Sequence, residues 1–253
     1  MQDLNCSTSD SICSQEKSNP VKAMEKQLAI FERLFVAGAL VHTHEIREFA
    51  GEWLSTCKSE HYSAEAFAIS VKLLCLSALV VLNQLRSSAL PWNRYSSESI
   101  EDKLRRTMIQ RFVSQAREDA QAALELARSL NDNSLIIECL LLRSQVEHSS
   151  FHGSEDGYQF YLEACKLAVA RGSITENTVE HFRLVLDTLR YPFEIPGNGP
   201  WRVLVHSYNS VAALDKCTDS GQVNIPAMLS LKSWCEELDL YETGLGGFED
   251  DVL

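Results

Sequence analysis

The sequence predicts an all-α fold of about nine antiparallel helices in one domain, and three observations carry that prediction. Leu and Ala dominate long stretches, and both favour helix. Apolar residues recur at steps of three and four along most of the chain, the period of one helix face. The 253 residues include only 6 Pro and 11 Gly, too little turn chemistry for an all-β chain. No stretch reads as a strand.

Pro20 opens a first helix to about residue 39, and a second spans about 42–57. Ser63 caps a strongly apolar third helix that ends near Leu85. Residues 88–97, with Pro91 and several Ser, read as a loop. The longest helix, about 99–130, carries an apolar stripe of Leu104, Met108, Phe112, Ala116, Ala120, Ala123 and Ala127. Asn131, Asp132 and Asn133 break it. Helices at about 135–149 and 155–171 follow, the second stopped by Gly172. Thr175 caps a seventh at about 176–194, disturbed by Pro192. A loop at 196–200 separates it from helices at about 201–216 and 225–241. Short connections imply antiparallel neighbours. Residues 1–20 form a polar leader expected to be disordered, 21–241 the helical domain, and 242–253 a flexible acidic tail.

The formal net charge of −12 repels nucleic acid and anionic lipid, so neither is expected as a partner. Residues 67–85 come closest to a membrane span; Lys72 within them favours a buried core helix instead. The eight cysteines show no metal-ligand spacing, and most fall on apolar helix faces. They read as reduced core thiols of a cytoplasmic protein.

No motif for catalysis stands out. There is no phosphate-cradling GxxxxGK loop and no GxSxG elbow. His148 and His152, four apart, have metal-ligand spacing but no third ligand, and a helix-end cap explains them as well. His42 and His44 point to different helix faces. No catalytic residue, cofactor or metal is expected, and binding to other proteins or peptides is the leading function.

Several segments resemble the 14-3-3 family. Residues 183–195, ending in Phe193, Glu194 and Ile195, are similar to the family's seventh-helix stretch RLGLALNFSVFYYEI. Residues 227–241 resemble its last helix, STLIMQLLRDNLTLW, without a gap. Residues 44–48 are similar to YDEMVE of the second helix, 69–71 to the LSV of the third and 101–104 to the EDKL of the fourth. The resemblance covers about residues 22–241 and implies a single 14-3-3-like, tetratricopeptide-related bundle. It also implies an adaptor that dimerises, with itself or a relative, through its N-terminal helices. Those helices carry Leu28, Phe31, Leu34, Phe35, Leu40, Ile46, Phe49 and Trp53.

The departures bear on function. The family grips phosphoserine or phosphothreonine with cations on the third helix and an Arg-Tyr pair on the fifth. The resemblance places Leu74, Val80 and Val81 at the first set and Val146 and Glu147 at the second. Dianionic phosphate needs paired cations, so this pocket reads as degenerate. The family's two peptide-anchoring Asn correspond to Asp187 and Glu237. What remains of a peptide groove is Leu186, Asp187, Arg190, Glu194, Glu237, Leu240 and Tyr241, with Lys72 and Arg143 as substitute cations. The competing readings are a tetratricopeptide-like scaffold, although no repeat near 34 residues is visible, and a helical enzyme.

Overall fold

The computed structural model describes residues 20–38, 43–60, 62–87, 100–149, 154–172, 174, 176–190, 226, 229–233 and 236. Among them there is no strand, and the chain is all-α. Seven helices run in order: α1 Pro20–Val36, α2 Thr43–Glu60, α3 Ala64–Ser87, α4 Ile100–Leu130, α5 Asn133–His148, α6 Ser154–Arg171 and α7 Glu176–Arg190. Residues 226, 229–233 and 236 are also helical, and Leu231 there is fully buried. The expected leader and tail, the 88–97 loop and the helix at 201–216 lie outside the described residues.

The breaks follow local chemistry. Asn131 adopts φ 55°, a left-handed conformation that Asn tolerates better than most residues. The Asp132 carboxylate then accepts from the Ser134 and Leu135 amides at 2.9 and 3.2 Å, capping α5. Gly172, at φ 73°, closes α6 in the way its lack of a Cβ allows.

The helices pack in a layered order. Each of α2 to α6 packs against the next helix in sequence, and α1, α3, α5 and α7 also touch one another in succession. These four form one layer. The other layer is α2, α4 and α6, tied by long side chains: Arg47 reaches Glu118 and Asp119, and Arg128 reaches Glu163. Consequently α3 and α5 have neighbours all round. α3 is long and apolar enough to cross a membrane by length and composition, but most of it is buried among α1, α2, α4 and α5. α5 is buried almost throughout, from Leu135 to Glu147. Against it α6 comes close at Gly157, where a Cβ would stand 3.0 Å from the Ser144 carbonyl oxygen.

One expectation changes. The apolar stripe on α4 is right from Phe112, which packs half-buried against the core, and wrong before it. Leu104 and Met108 are exposed, at 62% and 60%, while Ile109 and Val113 are buried. The first three turns of α4 carry two apolar lines, and periodicity alone does not say which one meets the bundle. The surface expected to support a dimer is also largely used within the chain. Leu28, Phe31, Phe35, Ile46 and Trp53 are buried, and the Phe31 ring meets Phe49 edge-on at 5.9 Å. Leu34 stays exposed, with Ile30 and Val36.

Candidate functional site

Among the described residues, two clusters of polar side chains join helices inside this apolar bundle, and Thr178 and His181 of α7 are buried as well. The larger lies where α4, α5 and α6 meet. Glu147 of α5 is buried, and its carboxylate accepts a forked pair of bonds from Arg117 of α4, Nε at 2.9 Å and Nη2 at 2.6 Å. Arg143, one turn earlier on α5, donates to the same carboxylate at 2.5 Å and to the Arg117 carbonyl at 2.7 Å. The Arg143 guanidinium lies 5.3 Å from the centroid of Phe160 on α6, a cation–π contact. Its Nε is buried without a hydrogen-bond partner among the described residues.

Two guanidinium groups thus share one buried carboxylate, and their environments differ. The bonds to Glu147 raise the pKa of Arg117, whereas burial, more than any neighbour, lowers that of Arg143. Asp156 of α6, exposed, adds a smaller stabilising charge to both. The arrangement ties α4 to α5 through ion pairs and to α6 through the Phe160 ring and the Asp156 charge.

The second cluster joins α2, α3 and α4. Both oxygens of the buried Asp119 carboxylate are used: Ser77 donates at 2.7 Å and Arg47 pairs at 2.8 Å. Burial nevertheless pushes the Asp119 carboxyl above its ordinary value of 3.8, outweighing the Ser77 bond and the Arg47 charge. A carboxyl with a raised folded-state pKa favours folding while protonated, and that contribution is lost as pH rises through the folded value. Relative to Asp119→Asn, which cannot titrate, the parent protein should therefore lose stability as pH rises from about 4 upward. Urea unfolding of both proteins across that range measures the difference; a parent-minus-variant stability that stays flat, or that rises with pH, contradicts it.

Near the crossing of α3 and α5, the Cys75 and Cys139 thiols meet at 3.7 Å, and both are buried. The Cys139 contact and burial raise the Cys75 pKa well above 9.0. The four described cysteines, Cys57, Cys75, Cys139 and Cys165, are buried free thiols. No group of three or more His, Cys, Asp or Glu side chains among the described residues converges to hold a metal ion. Exposed His44 pairs with Glu48 at 3.3 Å, and His148 meets Tyr158 edge-on; His42 and His152 lie outside the described residues.

Of the groove residues, Leu186 is buried in the core, at 5% exposure. Asp187 and Arg190 belong to α7, but their side chains lie outside the described residues, as do Glu194, Glu237, Leu240 and Tyr241 altogether. The two substitute cations are not brought together. α3 and α5 run parallel with Cys75 level with Cys139; Lys72 is three residues before that level and Arg143 four residues beyond it. They are about 10 Å apart along the helix axes. Of the residues placed at the phosphate pocket, Val80, Val81 and Val146 are core residues, and Leu74 is half-buried against the core. Glu147 does not face an open site, because two arginines hold it.

Sequence reasoning missed this Arg-Glu-Arg cluster, although α5 carried a signal. A helix reading Leu-Ile-Ile-Glu-Cys-Leu-Leu-Leu has no polar face. Arg143 and Glu147, at i and i+4 on such a helix, must find partners inside. Compared with known protein families, with curated proteins and with solved structures, the chain matches none of them.

Proposed function

We propose that this protein is a non-catalytic, cytoplasmic protein-binding adaptor of 14-3-3-like, tetratricopeptide-related architecture whose phosphoserine pocket is degenerate. One observation carries the reading. Where the resemblance calls for an Arg-Tyr pair on the fifth helix, the chain has Val146, fully buried, and Glu147, already neutralised by Arg117 and Arg143. The layering supports the architecture, since the third, fifth and seventh helices expected to line a groove are among those that touch in succession. The same layering also favours the second reading, a tetratricopeptide-like scaffold, because each helix pair stacks on the previous one.

A phosphate carries about −1.5 to −2 charges at neutral pH and must be compensated when desolvated. Without its charge-assisted contacts, each worth about 1.5–3 kcal/mol, affinity falls by several powers of ten. Titration calorimetry with matched phosphorylated and unphosphorylated peptides should show no phosphate-dependent binding at micromolar concentration. Tight, phosphate-dependent binding would reject the degenerate pocket.

A further inference from the structure

Two reactive side chains stand in contact inside the bundle. Cys75 of α3 and Cys139 of α5 are 1% and 0% exposed, and their sulfurs lie 3.7 Å apart although the residues are 64 apart in sequence. α3 and α5 are successive members of one layer and pack directly on each other. One turn to either side, Val71 and Leu79 on α3 and Leu135 and Leu142 on α5 are buried too. The thiol pair thus sits within the apolar core, on the seam between the two helices with neighbours all round.

A disulfide joins its sulfurs at about 2.05 Å, so each sulfur has to move by about 0.8 Å for a bond to form. Burial selects this product over a metal complex. A soft metal ion held by two thiolates leaves net charge in an apolar core, and no third His, Cys, Asp or Glu among the described residues converges to share it. A disulfide is neutral and adds no atoms. Burial also sets the pace. The Cys139 contact and desolvation keep the Cys75 thiol protonated, with Glu138 and Lys72 acting on it in opposite senses, and only a thiolate attacks an oxidant. The closed bundle therefore keeps the pair reduced, and reaction proceeds through transient openings.

We propose that Cys75 and Cys139 form an intramolecular disulfide on sustained exposure to a peroxide, and that the bond locks α3 to α5. The inference is independent of the adaptor reading. One thiolate attacks a peroxide oxygen; the O–O bond breaks, leaving a sulfenic acid and a hydroxide that takes up a proton. The second sulfur, which the fold holds beside the first, attacks the sulfenic sulfur; the S–S bond forms, the S–O bond breaks, and hydroxide leaves and is protonated. With hydrogen peroxide the sum is two thiols and one peroxide giving one disulfide and two waters. Because the fold brings the two sulfurs together, the bond between them in turn favours the fold.

The probe is hydrogen peroxide, applied to the full chain in native buffer and in urea below the unfolding transition. Remaining thiols are then alkylated in denaturant, and unreduced peptides are mapped by mass spectrometry. The expected product is a peptide pair joined through Cys75 and Cys139, formed faster in the urea because opening controls access. Tm should rise by about 5–15 °C and fall back on reduction with dithiothreitol. Cys75→Ala and Cys139→Ala should each abolish that rise, whereas Cys57→Ser should keep it. The linkage is read in the parent chain, so a variant that fails to fold does not remove the test. Four results overturn the proposal: Cys75 and Cys139 both still alkylated after exposure, either one carried to sulfinic acid without a link, a bond from either to another cysteine, or a linked chain whose Tm is unchanged or lower.

Discussion

Replacing Glu147 by Leu should lower stability by about 3–5 kcal/mol, because it leaves two guanidinium groups near a buried position with no carboxylate. For a chain of this length that corresponds to a fall in Tm of about 6–20 °C. The loss comes from stranding Arg143, which is 11% exposed, more than from breaking the pair with the more solvated Arg117. The reasoning makes a second, sharper demand. In an Arg117→Met/Arg143→Met background, Glu147→Leu should cost much less, because a hydrophobic trio of similar volume replaces a buried ionic one at little net cost. Denaturant unfolding of the members of this cycle measures the coupling. An equal loss in both backgrounds would show that Glu147 acts by shape, not charge.

Trp53→Ala should cost about 3–5 kcal/mol. Trp53 is the hinge pin of the α2–α3 turn: it is 5% exposed, and its ring stacks on Tyr62 at 5.4 Å with 27° between planes. Its indole N–H donates to the Ala66 carbonyl, one turn into α3, at 2.8 Å. Trp53→Phe separates the two contributions. It keeps most of the aromatic volume, loses the hydrogen bond and should cost about 1–2 kcal/mol. Urea unfolding of the two variants compares them; equal losses would mean that the hydrogen bond, not ring packing, dominates.

The fold was legible where the chain states its structure locally. Helix ends at Leu130 and Arg171 follow from Asn131, Asp132 and Gly172, and each residue acts within a turn of itself. Burial of α3 was legible because an apolar helix with one Lys needs company on every side. The rotation of the first three turns of α4 was not. Leu104–Met108 and Ile109–Val113 are equally good apolar lines, and only the register with α3 decides between them. The Arg117–Glu147–Arg143 cluster was half legible: Arg143 and Glu147 stand one turn apart in sequence, but Arg117 is 30 residues from Glu147 and arrives by tertiary packing. The groove inferred from resemblance fared differently again. Leu186 falls in the core, because an apolar residue on α7 is equally suited to line a groove or to fill the interior.

The succession of α1, α3, α5 and α7 bears on how the molecule comes apart. A protein folded round one central core yields all at once, whereas a stack yields from its ends, each unit held only by those beside it. α1 rests mainly on α3, while α5 is gripped by α3, α4, α6 and α7. Resistance to opening therefore grades along the chain, weakest at α1 and greatest at α5. Arg117, Arg143 and the buried glutamate they share stand at the most strongly held point of that gradient, so their ion pairs are among the last interactions to be released.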